Sequence, residues 1–423
     1  MSNARRMYRL AALAALVPFA ACSDILSLDV EAPGRIADTD LNALGAMAGL
    51  ASGMSYNLTD ALDATVIETS TASLDIGHGG SYDYGGVPIG IFKDDVEYWN
   101  GEYGSMSRAR WTAEHGLLRM QEVLGADFEK NASVAKAYLM GGFANRLLGE
   151  VQCRVTIDAG PDLPHTEAFT RADSMFTRAI AVATAAGGST AANIINAAYG
   201  GRASVRASLG RWDDAVVDAA KVPTTFVWNS TFSSANTNYI WQETNGRREH
   251  TLYTVMWANV KNDPRVPWDI PLTAAGVPFR GQDGSTIWYH QLKYTSNAAD
   301  IPITHGAEMR VLQAEAALRK GDYAGAQTFL NQARSKWNMA SITLPTTPAE
   351  AWATLRFERY ATLFIEGRKL WDWRRWDVEG APMRDPASVG RDKCFPISDD
   401  EARANPNVKR GAGGQWGGCP TCG

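Results

Sequence analysis

Leu355–Trp376 reads LRFERYATLFIEGRKLWDWRRW. Glu358, Arg359, Glu366, Arg368, Asp372, Arg374 and Arg375 stand here among Phe357, Leu363, Phe364, Leu370, Trp371, Trp373 and Trp376. The pattern predicts a single helix carrying these seven residues, on which Glu358 and Thr362, like Glu366 and Leu370, are one turn apart. Charges this dense beside three tryptophans predict a partly buried ion network that pins the helix to its neighbours. Upstream, Glu308 and Glu315 sit on an otherwise apolar helix, which makes them candidate partners for these arginines. Truncating one member should destabilise the fold by roughly 3–5 kcal/mol, because it strands an opposite charge. A catalytic carboxylate pair is the competing use of the same residues.

Working outward, two segments resemble each other. Ala198–Val222 contains Leu209-Gly210-Arg211-Trp212-Asp213-Asp214-Ala215, and Ala307–Arg334 contains Lys320-Gly321-Asp322-Tyr323-Ala324-Gly325-Ala326. Each is a helix, then Gly-x-aromatic-x-x-Ala, then a second helix. The glycine suits the left-handed residue that ends the first helix, the aromatic wedges between the pair, and the small alanine lets the helices approach. This is the turn of a tetratricopeptide-like hairpin. Apolar residues three or four apart predict further helices over Arg108–Leu124, Ala132–Glu150 and Thr166–Ala185. A similar stripe of Leu41, Leu44, Met47, Leu50 and Met54 predicts one that starts near Asp38 or Asp40, either of which could cap it.

Between the two hairpins, roughly Thr224–Asp300, the helical period fails. Trp228, Trp241, Tyr253, Trp257, Trp268, Trp288, Tyr289 and Tyr294 lie there among Gly, Pro, Asn and Thr. This predicts loops with short strands inserted into a helical frame, where binding residues tend to sit. Gly77–Tyr103 (GHGGSYDYGGVPIGIFKDDVEYWNGEY) is a second aromatic, polar stretch, also read as loop.

The start of the chain reads as a leader. Arg5, Arg6 and Arg9 precede the apolar run Leu10–Ala21, and Ala20-Ala21-Cys22 follows with small residues before a cysteine. The run is too short for a stable membrane span. It fits a secretory signal peptide over residues 1–21, with Cys22 placed for lipidation as in a bacterial lipobox, although Phe19 stands where Leu is usual. Residues 22–37 read as a tether and 38–423 as one domain, and several acyl chains on Cys22 would be the only attachment to a membrane. Export and four further cysteines (Cys153, Cys394, Cys419 and Cys422) predict at least one disulfide. The pairing is open, and a bond that fixes the Gly-rich tail carrying Cys419 and Cys422 is the expected one. A net charge of −5 over 423 residues leaves no basic footprint for nucleic acid.

The ordered motifs from Ile301 onward resemble the SusD/RagB family of outer-membrane nutrient-uptake lipoproteins. They are Glu308…Glu315-Ala316, Gly321-Asp322-Tyr323, Leu330-Asn331-Gln332-Ala333-Arg334, the Glu358-Arg359…Glu366-Gly367…Asp372…Arg375-Trp376 series, Phe395-Pro396-Ile397-Ser398 and Asn405-Pro406-Asn407. Asn262-Asp263-Pro264-Arg265 and the lipoprotein start fit the same pattern. The resemblance implies a mostly α fold of tetratricopeptide-like hairpins in a right-handed superhelical scaffold, with the insertion at about 224–300 and a family-type C-terminal region at about 301–423. It implies a surface protein that captures oligosaccharides, or in some members peptides. Such a protein lids a SusC-type TonB-dependent channel, performs no reaction and needs no cofactor.

Sugar capture needs rings that stack on a pyranose and polar groups that satisfy its hydroxyls. Tyr82, Tyr84, Tyr98, Trp99 and Tyr103 offer rings in the first aromatic stretch. Trp228, Trp241, Trp268, Trp288 and Tyr289 offer them in the second, and both stretches are expected to join in one shallow exposed site. No His-Glu-x-x-His motif and no Gly-x-Ser-x-Gly elbow occurs. Asp94, Asp95 and Glu97 lack the glycine of an EF-hand loop, so no metal is expected. A secreted hydrolase using paired carboxylates and a surface scaffold that binds no small ligand are the two alternatives to capture.

Overall fold

The computed structural model describes residues 38–409, so the signal peptide, Cys22, the tether and the Cys419–Cys422 pair lie outside it. Asp38–Asn42 form a short 3-10 turn that is a unit to itself. All that follows concerns the second unit, from Ala43. Its α-helices of six or more residues are α1 (Met47–Ala72), α2 (Glu97–Leu124), α3 (Ala132–Val151), α4 (His165–Ala186), α5 (Gly188–Ser208), α6 (Trp212–Lys221), α7 (Gly306–Arg319), α8 (Tyr323–Ser335), α9 (Pro348–Thr362), α10 (Lys369–Glu379) and α11 (Asp399–Ala404).

Two helix starts differ from the expectation. α1 begins at Met47 with Ala46 as an N-cap that makes no side-chain bond, and neither Asp38 nor Asp40 caps it. Leu44 is 69% exposed, and Gly45 is a poor helix former, so nothing drives the stripe into α geometry earlier. Conversely, Glu97–Tyr103 is not loop but the first turns of α2. Gly101, Gly104 and the polar residues around them hide its period.

Each of α1 to α6 packs on the next, α6 packs on α7, and α7 packs on both α8 and α9. The two hairpins read in the sequence are therefore neighbours in space. Gly210 and Gly321 end their helices at φ +75° and +74°, and Ala215 and Ala326 are wholly buried where the helices approach. Trp212, the aromatic of the first turn, lies under the Arg319 guanidinium of the second hairpin, 4.1 Å from the ring centroid.

The strands are short and make four antiparallel pairs among the described residues: β1 (Ile76–His78), β2 (Arg154–Val155), β3 (Leu163–Pro164), β4 (Val227–Ser230), β5 (His250–Leu252), β6 (Trp268–Asp269), β7 (His290–Gln291) and β8 (Ile301–His305). β4 pairs with β8, Val227 opposite His305, so the insertion leaves and rejoins the helical stack through one two-stranded neck. Gly306 closes that neck. Its N–H donates to Phe226 O at 2.8 Å, and a Cβ there would sit 1.8 Å from Pro223 O.

The stretch Leu355–Trp376 is two helices rather than the one predicted. α9 stops at Thr362 and α10 starts at Lys369, with Ile365 at φ +50° and Gly367 at +72° between them. The break is a tertiary effect. Lys293 Nζ donates to Phe364 O at 2.6 Å and the Tyr294 hydroxyl to Ile365 O at 3.0 Å. Insertion residues thus take carbonyls that a continuous helix would use itself.

The charged side chains around the break are buried and paired. Arg368 donates to Glu308 at 2.8 Å, Glu150 at 2.8 Å and Ser204 at 2.7 Å, joining α7, α3 and α5. Arg375 donates to Glu315 at 2.6 Å and Asp372 at 3.0 Å, and Trp376 Nε1 reaches Glu315 at 2.8 Å. Asp372 also accepts from Arg359, and Glu358 from Arg265 and Arg334, both at 2.6 Å. Glu366 is met by Lys293 at 2.7 Å and by His305 Nε2 at 3.3 Å. His305 Nδ1 accepts from the Glu308 N–H, which leaves Nε2 to carry the proton. Burial works to raise the Glu366 pKa, but Lys293 and His305 outweigh it and bring it to about 2.

Cys153 and Cys394 form a disulfide with Cα atoms 4.9 Å apart. The bond continues a short backbone ladder. Cys153 N donates to Phe395 O and Phe395 N to Val151 O, each at 2.8 Å.

Candidate functional site

The two aromatic stretches meet at β1 and β5, where Ile76, Gly77 and His78 pair with Leu252, Thr251 and His250. Beyond the pair, the Glu249 carboxylate accepts from Ser81 N at 2.7 Å and Ser81 Oγ at 3.3 Å. Glu249 O accepts from Gly79 N at 2.9 Å, and Gly79 O in turn accepts from Asp283 N at 3.1 Å. Asp283 folds its own turn by accepting from Ser285 N, Thr286 N and Thr286 Oγ1. β7 then runs beside β5, with Leu252 N donating to Tyr289 O at 3.0 Å and Tyr289 N to Thr251 Oγ1 at 2.7 Å.

These contacts enclose a cleft of about 510 Å³. Ile76, Leu252, Ile287 and the half-buried Tyr253 and Tyr289 rings give it apolar surface, and Thr254, Ser285, Thr286 and Arg280 give it polar groups. A second hollow of about 450 Å³ lies along Lys261–Pro264, Trp268 and Leu292. Trp268 and Tyr289 meet edge to face with centroids 5.9 Å apart, so one ring from each hollow touches the other. The arrangement combines ring faces, hydroxyl donors and acceptors and one guanidinium, which suits a neutral polyhydroxylated ligand.

The aromatic residues picked from the sequence fall into two groups. Tyr289 and Trp268 line the hollows, Tyr82 is 47% exposed, and Trp228 and Trp241 are half-buried, Trp228 in the neck opposite Thr304. Tyr84, Trp99, Tyr103 and Trp288 are buried, and this corrects their selection as ligand-facing rings. Each has its polar atom engaged inside the protein. Trp99 Nε1 donates to Pro396 O at 2.8 Å, Trp288 Nε1 donates to Thr244 O at 2.8 Å, Tyr103 shares a bond with Thr156 at 2.6 Å, and Tyr84 donates to Glu243 at 3.4 Å. Tyr253 and Arg280 line the cleft and were not singled out. The cue for Tyr253 was its place directly after a strand-like run; nothing local marks Arg280.

Among the described residues no group of three or more His, Cys, Asp or Glu side chains could hold a metal ion. No described helix is long and apolar enough to cross a membrane.

Residues 280–412 match the model of the SusD family. Solved structures of that superfamily share the fold. A SusD/RagB family protein from Bacteroides thetaiotaomicron superposes with a TM-score of 0.64 at 14% identity, over 84% of this chain and 94% of its own. A SusD-like protein from Bacteroides fragilis gives 0.64 at 14% identity over 89% and 98%. A laminarin-binding SusD-like protein gives 0.61 at 13% identity over 84% and 97%. No curated protein matches the sequence. The mostly helical fold and the family resemblance read from the motifs are thereby borne out.

Proposed function

We propose that this chain, whose residues 280–412 match the model of the SusD family, is a surface binding protein that captures neutral oligosaccharides. It passes them to a SusC-type TonB-dependent channel that it covers as a lid, is held to the outer membrane by acyl chains on Cys22, and carries out no reaction. The observation that supports capture is the 510 Å³ cleft where two distant aromatic stretches are bonded together. Its Tyr253 and Tyr289 rings can stack on sugar faces, while Thr254, Ser285, Thr286 and Arg280 can bond hydroxyls. The laminarin-binding relative supports the ligand class. Glu308, Glu315, Glu358 and Asp372 are each bonded to arginines, which favours a structural over a hydrolytic use of these carboxylates.

Calorimetric titration with maltohexaose, laminarihexaose, cellohexaose, xylohexaose and mannohexaose tests this. At least one should bind saturably and be recovered intact, and Tyr289→Ala should weaken it about tenfold by removing one stacked ring, with the melting temperature held. If none of the five binds, or if binding is indifferent to Tyr289, the reading is wrong.

A further inference from the structure

Trp111 on α2 is 50% exposed and lines no part of the cleft. Its indole is stacked on His115, centroids 4.4 Å apart with planes at 26°, which leaves half its surface in solvent. Beside it is a hollow of about 300 Å³ bounded also by Arg108, Thr156, Asp158 and Glu401. Three separate segments therefore build this place: α2, the β2–β3 turn and α11.

The turn is held in shape from two sides. The buried Arg110 side chain donates to Asp158 at 2.6 Å and to Glu114 at 2.9 Å. Asp158 and Ala159 both adopt left-handed backbone, at φ +50° and +58°, although neither is glycine. Such strain persists only where surroundings enforce it, and it gathers at functional places. Here the enforcement comes from the Asn405-Pro406-Asn407 run. Asn405 Nδ2 donates to Gly160 O and Asn407 Nδ2 to Ala159 O, each at 2.9 Å. The outcome is a carboxylate beside an exposed indole, with the Asp158 side chain still 46% and Arg108 55% exposed.

The rim carries both signs of charge. Asp158 and Glu401 would repel an anion and Arg108 a cation, whereas a neutral diol uses all three, donating to the carboxylates and accepting from the guanidinium. We propose that this hollow is a second carbohydrate subsite, in which a pyranose ring stacks on Trp111 and its hydroxyls bond Asp158, Glu401 and Arg108. It stands independently of the cleft, since the two share no lining residue.

The test is fluorine NMR of the full chain labelled with 5-fluorotryptophan, the Trp111 line being assigned through Trp111→Phe. The same five hexaoses serve as probes. At least one should shift the Trp111 line saturably, and should still do so in Tyr289→Ala. Asp158→Asn keeps a residue that tolerates left-handed backbone and should weaken that titration about tenfold. A Trp111 line that moves with none of the five overturns the proposal. So does a shift that disappears in Tyr289→Ala, because the ring would then only be sensing the cleft. A moving Trp111 line in a protein whose cleft binds nothing upholds this subsite and counts only against the cleft.

Discussion

Two buried carboxylates at the α1–α2 contact show how strongly a partner decides a charge. Glu68 and Glu102 are 3% and 6% exposed, and among the described residues neither forms an ion pair. Burial raises both above the usual 4.5, and for Glu102 the neighbouring Glu68 adds to it. Glu366 is as deeply placed, yet Lys293 and His305 hold it at about 2. The two cases have opposite consequences. A carboxyl raised in the folded state binds a proton that the unfolded chain has lost, so its stabilisation is complete below about pH 4.5 and fades as pH rises. A depressed one, Glu366, stabilises above about pH 4.5 and is lost as pH falls toward 2. Stability should accordingly peak in mildly acid solution. Glu68→Gln removes the Glu68 share of the alkaline decline and should raise the melting temperature at pH 8 by about 2–4 °C with little change at pH 5. Melting curves across pH decide it, and an unchanged slope would mean that Glu68 is not the group responsible. The contrast between Glu68 and Glu366 was not legible in the sequence, because each is decided by partners on other elements, as Lys293 decides Glu366; the pairing of Glu308 and Glu315 with Arg368 and Arg375 was legible.

At the level of elements, the two hairpin turns were read correctly, whereas the starts of α1 and α2 were not. The Gly-x-aromatic-x-x-Ala turns carry their own instructions: a left-handed glycine, a wedge and a small contact residue, all within six positions. The division of Leu355–Trp376 was not legible, since apolar and charged residues continue across it and the cause lies in Lys293 and Tyr294. Aromatic loops misled for a related reason. Composition says that a ring is present, but whether Trp99 faces solvent depends on Phe395, stacked 4.4 Å away and nearly 300 residues on. The neck gives a prediction at this scale. In Gly306→Ala the new methyl would meet the Pro223 carbonyl, where backbone must move, and such overpacking costs roughly 1–3 kcal/mol. Denaturant titration should show that loss, and limited proteolysis should show earlier cutting between β4 and β8. A wild-type pattern in both would mean that the neck tolerates the methyl.

For the whole molecule, the Cys153–Cys394 bond ties the end of α3 to the C-terminal segment across 241 positions. Sequence established that some disulfide was to be expected in an exported chain, but four cysteines offer three pairings and only folding selects one. Replacing both with alanine should cost roughly 2–5 kcal/mol, read as a lower denaturant midpoint than that of the oxidised parent. Equal midpoints would mean that the bond contributes nothing. The β4–β8 neck bears on descent as well as stability. Its strands depart and return side by side, so the chain hung between them can lengthen or shorten cheaply, at about 0.6 kcal/mol for each doubling. A lineage can rewrite most of that stretch and inherit the helices beneath it, so long as Arg265, Lys293 and Tyr294 keep their bonds to Glu358, Phe364 and Ile365.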